Sequence, residues 1–129
     1  MRINNPCCIR LTKGTPWLGQ TENPREKTFV TFTERVYGYR AAFLLLRKYI
    51  DRGYDTIGKI IRRWAPACEN DTQAYINFVS RTVGMEADKH IGRDDRDTLL
   101  EMVRSMAAME SGIIEDKELL ASAWTLATF

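Results

Sequence analysis

Apolar residues recur along this chain at two different periods, and the change comes near Tyr37. Before it, Thr28, Phe29, Val30, Thr31, Phe32 and Thr33 alternate polar and apolar with β-branched and aromatic side chains, which is the pattern of a strand. Cys8, Ile9, Arg10 and Leu11 form a second, shorter candidate. Asn4-Asn5-Pro6 and Lys13-Gly14-Thr15-Pro16 are turn chemistry. The polar stretch 19–27 reads as a long loop. The pattern predicts a small antiparallel hairpin or three-stranded ribbon.

From Tyr37 onward the period is helical. Ala42, Leu45, Leu46 and Tyr49 mark one face, Arg40, Arg47, Lys48 and Asp51 lie outside it, and Gly53 ends the run. Asp55-Thr56 caps a short helix with Ile57, Ile60, Ile61 and Trp64 inward, and Pro66 prevents its continuation. Asn70-Asp71-Thr72 caps a third helix with Tyr75, Ile76, Val79 and Val83 inward and Gly84 as its stop. A polar linker, 86–95, leads to a helix with Leu99, Val103, Met106, Ala107 and Glu110 on one stripe. Glu115-Asp116 opens the last helix, with Leu119, Leu120, Ala123, Trp124 and Ala127. The expectation is a mainly helical α+β fold of about five helices. It forms one domain over 1–129, with a β-rich lobe at 1–36 and a helical lobe at 37–129. Strands first and helices after argue against a parallel α/β sheet.

Glu110 is the chemical anomaly in that pattern. It lies on a stripe that should face the core, and burying an ionised carboxylate raises its pKa unless it is paired. A carboxyl protonated near neutral pH can act as a general acid. Helix ends also carry glutamates that reach water or pair with an arginine such as Arg40 or Arg104, and periodicity alone leaves both roles open.

Composition narrows the classes. With 129 residues, 44% of them apolar, the chain can bury a core, and 28% charged residues give it a polar surface. A net charge of +2 and the lack of a basic patch interleaved with aromatics argue against nucleic-acid binding. No apolar run is long enough to span a membrane, and no apolar segment follows the N-terminus as in a signal peptide. The expectation is synthesis in the cytoplasm, with any export needing help from another component. Cys7, Cys8 and Cys68 are an odd set with no ligand spacing, and the one histidine, His90, sits in a polar connector. No metal and no cofactor are expected.

Trp17, on a loop, is either a lid over the core or a flat platform for a sugar ring. The segment Trp64-Ala65-Pro66-Ala67-Cys68-Glu69-Asn70-Asp71-Thr72 combines a helix stop, a proline turn and a cap. Capping explains Asp71 and Thr72, while Glu69 is left as a second carboxylate candidate. Arg62-Arg63 reads as a solvated basic pair. Glu22, Glu26 and Glu34 flank the strands without a spacing that singles one out.

These motifs resemble a family of phage and prophage proteins generally labelled virion structural proteins. The likeness runs through Asn4-Asn5-Pro6-Cys7-Cys8-Ile9-Arg10, Trp17-Leu18-Gly19, Phe29 to Phe32, Gly38 to Ala42, Trp64-Ala65-Pro66 and Glu69-Asn70-Asp71-Thr72. Family members usually carry Gly-Asn where this chain has Cys7-Cys8. A more distant likeness is to the lysozyme-like glucosaminidases and lytic transglycosylases, in which a helix ending in Glu-Ser-Gly carries the catalytic acid. Here Glu110-Ser111-Gly112 follows the Asn-rich turn, Trp17 and the Phe-containing strand instead of preceding them, so the resemblance implies a circularly permuted lysozyme-like domain. It implies Glu110 as catalytic acid and Trp17, Tyr75, Glu69 and Asn5 as substrate-binding residues. The function implied is cleavage of the peptidoglycan glycan strand, by a transglycosylase or muramidase-like route. The alternative is a non-catalytic virion or host-interaction protein on the same scaffold, whose partners are other virion proteins.

Overall fold

The structure, a computed structural model, describes residues 3–65 and 71–129. Two short strands, β1 (Gln20–Thr21) and β2 (Thr31–Phe32), precede five helices: α1 (Arg35–Asp51), α2 (Ile57–Trp64), α3 (Thr72–Val83), α4 (Arg96–Ser111) and α5 (Lys117–Thr128). The mainly helical α+β architecture predicted above is the one observed. Pro66, Glu69 and Asn70, read above as stop, candidate carboxylate and cap, lie outside the described residues.

The β element is a ribbon. β1 pairs antiparallel with β2, Gln20 opposite Phe32 and Thr21 opposite Thr31. A bridge between Arg10 and Phe29 adds the third segment, with Val30 N–H donating to Ile9 and Leu11 N–H to Thr28, both at 2.9 Å. β1 therefore falls inside the stretch read as loop. Two residues are too short to display a period of two. Thr31, a polar position of the alternation, is buried as well, and its hydroxyl accepts from the Asn23 amide at 3.1 Å.

Caps set the helix limits. Thr56 accepts from Lys59 N–H, Asp71 from Ala74 N–H and Asp116 from Glu118 N–H. Gly84 and Gly112 close α3 and α4 in the left-handed conformation. α1 packs chiefly on α5, α3 on α4, and α2 on α3. Tyr39, Phe43, Leu46, Ile57, Ile60, Ile61, Leu99, Met102 and Met106 are fully enclosed, each worth roughly 1.5–3 kcal/mol of burial. Phe43 meets Trp124 edge to face at 5.4 Å.

The inward face of α1 differs from the one the spacing predicts. Phe43 is buried, whereas Leu45 and Tyr49 are only half-buried. Trp64 on α2 is likewise half-buried. All three line an open groove, because two apolar faces meet here without closing on one another.

The N-terminal segment is fastened to the rest of the molecule by hydrogen bonds. Ile3 carbonyl accepts from Phe32 N–H at 2.7 Å, and the Asn4 amide donates to the Phe32 and Thr33 carbonyls. Gly38 of α1 lets this segment lie close. A Cβ there would sit 2.5 Å from the Asn4 carbonyl oxygen, a backbone atom that cannot swing aside. Gly38→Ala is therefore expected to cost about 1–3 kcal/mol in denaturant unfolding, and an unchanged midpoint would show that the loop yields freely.

Candidate active site

Glu110 stands where the buried stripe of α4 runs out. Leu99, Val103, Met106 and Ala107 are fully enclosed, and one turn later Glu110 is half-buried. Gly112, at φ +67°, then turns the chain away. Directly against this helix end lies the loop 4–10. Ser111 hydroxyl donates to the Pro6 carbonyl at 2.7 Å, the Cys7 thiol points to the Val103 carbonyl at 3.9 Å, and the Trp64 indole N–H donates to the Cys7 carbonyl at 3.0 Å. The loop is thus clamped between α2 and α4, with Cys7 buried and Cys8 turned toward Glu110 and Ser111.

Burial pushes the Glu110 carboxyl above the usual carboxylate range. The Cys8 thiol, the Tyr75 hydroxyl and the charge of Arg10 favour the anion and offset part of that rise. Burial and the neighbouring Glu110 charge push the Cys8 thiol up to about 11, so at neutral pH it is a hydrogen-bond donor and not a thiolate nucleophile. Tyr75 is 2% exposed, and burial, then Glu110, push its hydroxyl far up as well. That hydroxyl lies within range of Glu110 yet closes no hydrogen bond of ordinary geometry among the described residues. A buried hydroxyl without a partner is costly, and a ligand oxygen beside Glu110 would relieve it.

Cys8 lines two adjoining depressions. One, of about 710 Å³, also holds Arg10, Trp17, Lys48, Tyr49, Arg63 and Trp64. The other, of about 530 Å³, is formed by Asn4, Asn5, Pro6, Phe29, Arg35, Ser111 and Ile113. Glu110 lines neither depression and is reached through Cys8, the residue the two share.

Of the residues singled out in the sequence, Glu110 and Tyr75 come together, and Trp17 lines the groove entered past Cys8. Asn5 is 4% exposed, and its side chain serves the loop. The amide donates to the Ile9 and Val30 carbonyls and the oxygen accepts from Ile9 N–H, all at 2.9 Å. Glu69 lies outside the described residues. His90 is exposed and pairs with Asp55 at 2.8 Å, away from this cluster.

Neither Arg40 nor Arg104 is the partner of Glu110. Arg40 donates to the Leu126 carbonyl and Arg104 to the Glu115 carbonyl. The arginine-paired buried carboxylate is Glu115. It is 5% exposed and accepts from Arg35 Nε at 2.9 Å and Tyr39 hydroxyl at 2.8 Å. Burial opposes its ionisation, but the hydrogen bonds from Arg35, Tyr39 and the Asp116 N–H outweigh that and hold it below the usual range. The two glutamates near the α4–α5 link thus have opposite electrostatics. Sequence reasoning missed Glu115, Cys8 and Arg10. The signal for Cys8 and Arg10 was their place in the turn motif, whereas Glu115 read only as a helix opening.

Cys8 is held at φ +55°, a region that asparagine tolerates better than other side chains with a Cβ. Cys8→Asn is expected to raise stability by about 0.5–1 kcal/mol, read as a higher unfolding midpoint. A lower midpoint would assign the thiol a packing role that outweighs the backbone strain.

No protein-family model matches the chain. A curated relative is Protein P5 of Pseudoalteromonas phage PM2, 36% identical over 115 residues, which are 87% of this chain and 70% of that protein. That extent and identity establish common descent, and the chain belongs to the phage-protein family that includes Protein P5 of phage PM2.

Proposed function

We propose that this phage protein cleaves the glycan strand of peptidoglycan, with Glu110 as the acid that breaks the glycosidic bond. The observation that carries the reading is a half-buried carboxyl at a helix end, its pKa raised by burial, beside the buried Tyr75 hydroxyl and next to Cys8, which lines an aromatic groove. The likeness of Glu110-Ser111-Gly112 to the acid-bearing helix of lysozyme-like enzymes supports it, as does membership of a phage-protein family.

The groups acting on Glu110 among the described residues are Cys8, Tyr75 and Arg10, none of them a carboxylate. A hydrolase needs a second carboxylate at a defined separation, so the one-carboxylate route is preferred. Glu110 gives its proton to the glycosidic oxygen as the bond to the anomeric carbon breaks. A hydroxyl of the same sugar then attacks that carbon and returns its proton to Glu110. Trp17 would stack on a sugar face and Tyr75 would steady the carboxyl. The protein would act at the cell wall, released during infection or carried in the particle.

The test is release of soluble fragments from purified peptidoglycan by the unaltered protein and by Glu110→Gln. The expected products end in an internal acetal, an anhydro bridge to the anomeric carbon, and add no new reducing ends. Intact peptidoglycan after prolonged incubation with the unaltered protein, together with binding to other proteins of the particle, would favour the virion structural reading.

A further inference from the structure

The groove beside Glu110 combines flat aromatic faces with positive charge. Trp17, Tyr49 and Trp64 line it, and Arg10, Lys48 and Arg63 stand among them. Tyr49 and Trp64 meet edge to face, with centroids 6.0 Å apart. The Arg63 guanidinium lies 4.7 Å from the Tyr54 ring centroid and 5.8 Å from that of Tyr49, so its charge is held in place by stacking. Among the described residues, neither Lys48 nor Arg63 makes an ion pair, and no carboxylate lines the groove. The charges of Lys48 and Arg63 meet no carboxylate within the described part of the fold.

We infer that the groove binds an acidic glycan, a polysaccharide strand whose sugars bear substituents with free carboxylates. The sugar faces lie on the three aromatic rings and the carboxylates pair with Lys48 and Arg63. The inference rests on the reading of Glu110 as a glycan-cleaving acid and adds its selectivity. The substrate is chosen by its acidic substituents and not by the sugar backbone alone. A phosphate backbone is the less favoured polyanion. The net charge is only +2, and the cations belong to one bounded groove instead of a stripe that could track a nucleic acid.

The experiment uses Glu110→Gln protein, which holds the strand without cutting it. Calorimetry at two salt concentrations compares soluble peptidoglycan strands, the same strands with their carboxylates amidated, and a single-stranded oligonucleotide. Acidic strands are expected to bind about tenfold more tightly than amidated ones, and more weakly at high salt. Adding Lys48→Gln and Arg63→Gln should weaken that binding about fivefold, at roughly half a kcal/mol per exposed charge. Arg63→Lys, which keeps the charge, should stay within about twofold. Equal affinity for amidated strands, no effect of the double change, or tighter binding of the oligonucleotide overturns the proposal. Strands bound by the unaltered protein but never cut would reject the role of Glu110 and leave the groove standing. Acidic and amidated strands cut at equal rates would do the reverse.

Discussion

Glu110→Gln is expected to lower the rate of peptidoglycan cleavage by about 10²–10⁴-fold, the usual contribution of a positioned general acid. The amide keeps the shape of the carboxyl but cannot give up a proton. The fold should not suffer. Burial raises the Glu110 pKa in the native state, so its contribution to stability is present below the unfolded carboxylate value, about 4.3, and is lost as pH rises through the raised native value. Above that raised value the ionised side chain is a net cost, and replacing it there should leave the melting temperature unchanged or higher. The cleavage rate of the unaltered protein should in turn fall as pH rises past the raised Glu110 value, because the acid form disappears. Equal turnover by both proteins would remove Glu110 from the chemistry. A marked fall in melting temperature would mean the carboxyl holds structure instead.

Glu115→Leu is expected to be the most destabilising of the substitutions considered, by about 3 kcal/mol, or roughly 10 °C in melting temperature. Glu115 receives Arg35 Nε, the Tyr39 hydroxyl and the Asp116 N–H, and Leu accepts from none of them. Arg35 is 43% exposed and recovers water, so most of the loss comes from Tyr39, whose hydroxyl is left buried without an acceptor. The pH dependence has the opposite sign to that of Glu110. The native pKa of Glu115 is lowered, so its contribution is present above the unfolded value and is lost as pH falls through the native one. The unaltered protein should lose stability below about pH 4.5, and the variant should show a flatter acid limb. A shift of less than about 2 °C would mean that Tyr39 and Arg35 find other acceptors.

These two glutamates lie five residues apart and have opposite electrostatics. Nothing in their spacing tells them apart. Glu110 follows a helical stripe and was legible as a carboxyl near the core. Glu115 sits on the short link between α4 and α5, where there is no period to read. Its burial arises because Arg35 and Tyr39, 80 and 76 positions away in sequence, are carried onto it by α1.

The helices themselves were legible from the chain. Their apolar periods, the caps at Thr56, Asp71 and Asp116, and the glycine stops at Gly84 and Gly112 are local, and local chemistry decides where a helix begins and ends. β1 was not legible, since two polar residues become a strand only through partners 10 and 12 residues away, Thr31 opposite Thr21 and Phe32 opposite Gln20. The groove was not legible either. Leu45, Tyr49 and Trp64 have core spacing, and only the way α1 and α2 meet leaves them half-open.

The amino-acid order by itself determined a helical α+β chain with one carboxyl at the edge of an apolar stripe, because side-chain period and capping act within a few residues. The tertiary arrangement alone decided that this carboxyl meets Cys8, Tyr75 and Arg10 while Glu115 takes the arginine and the phenol. Those contacts join residues far apart in the chain, and a pKa depends on which groups surround a carboxyl in space.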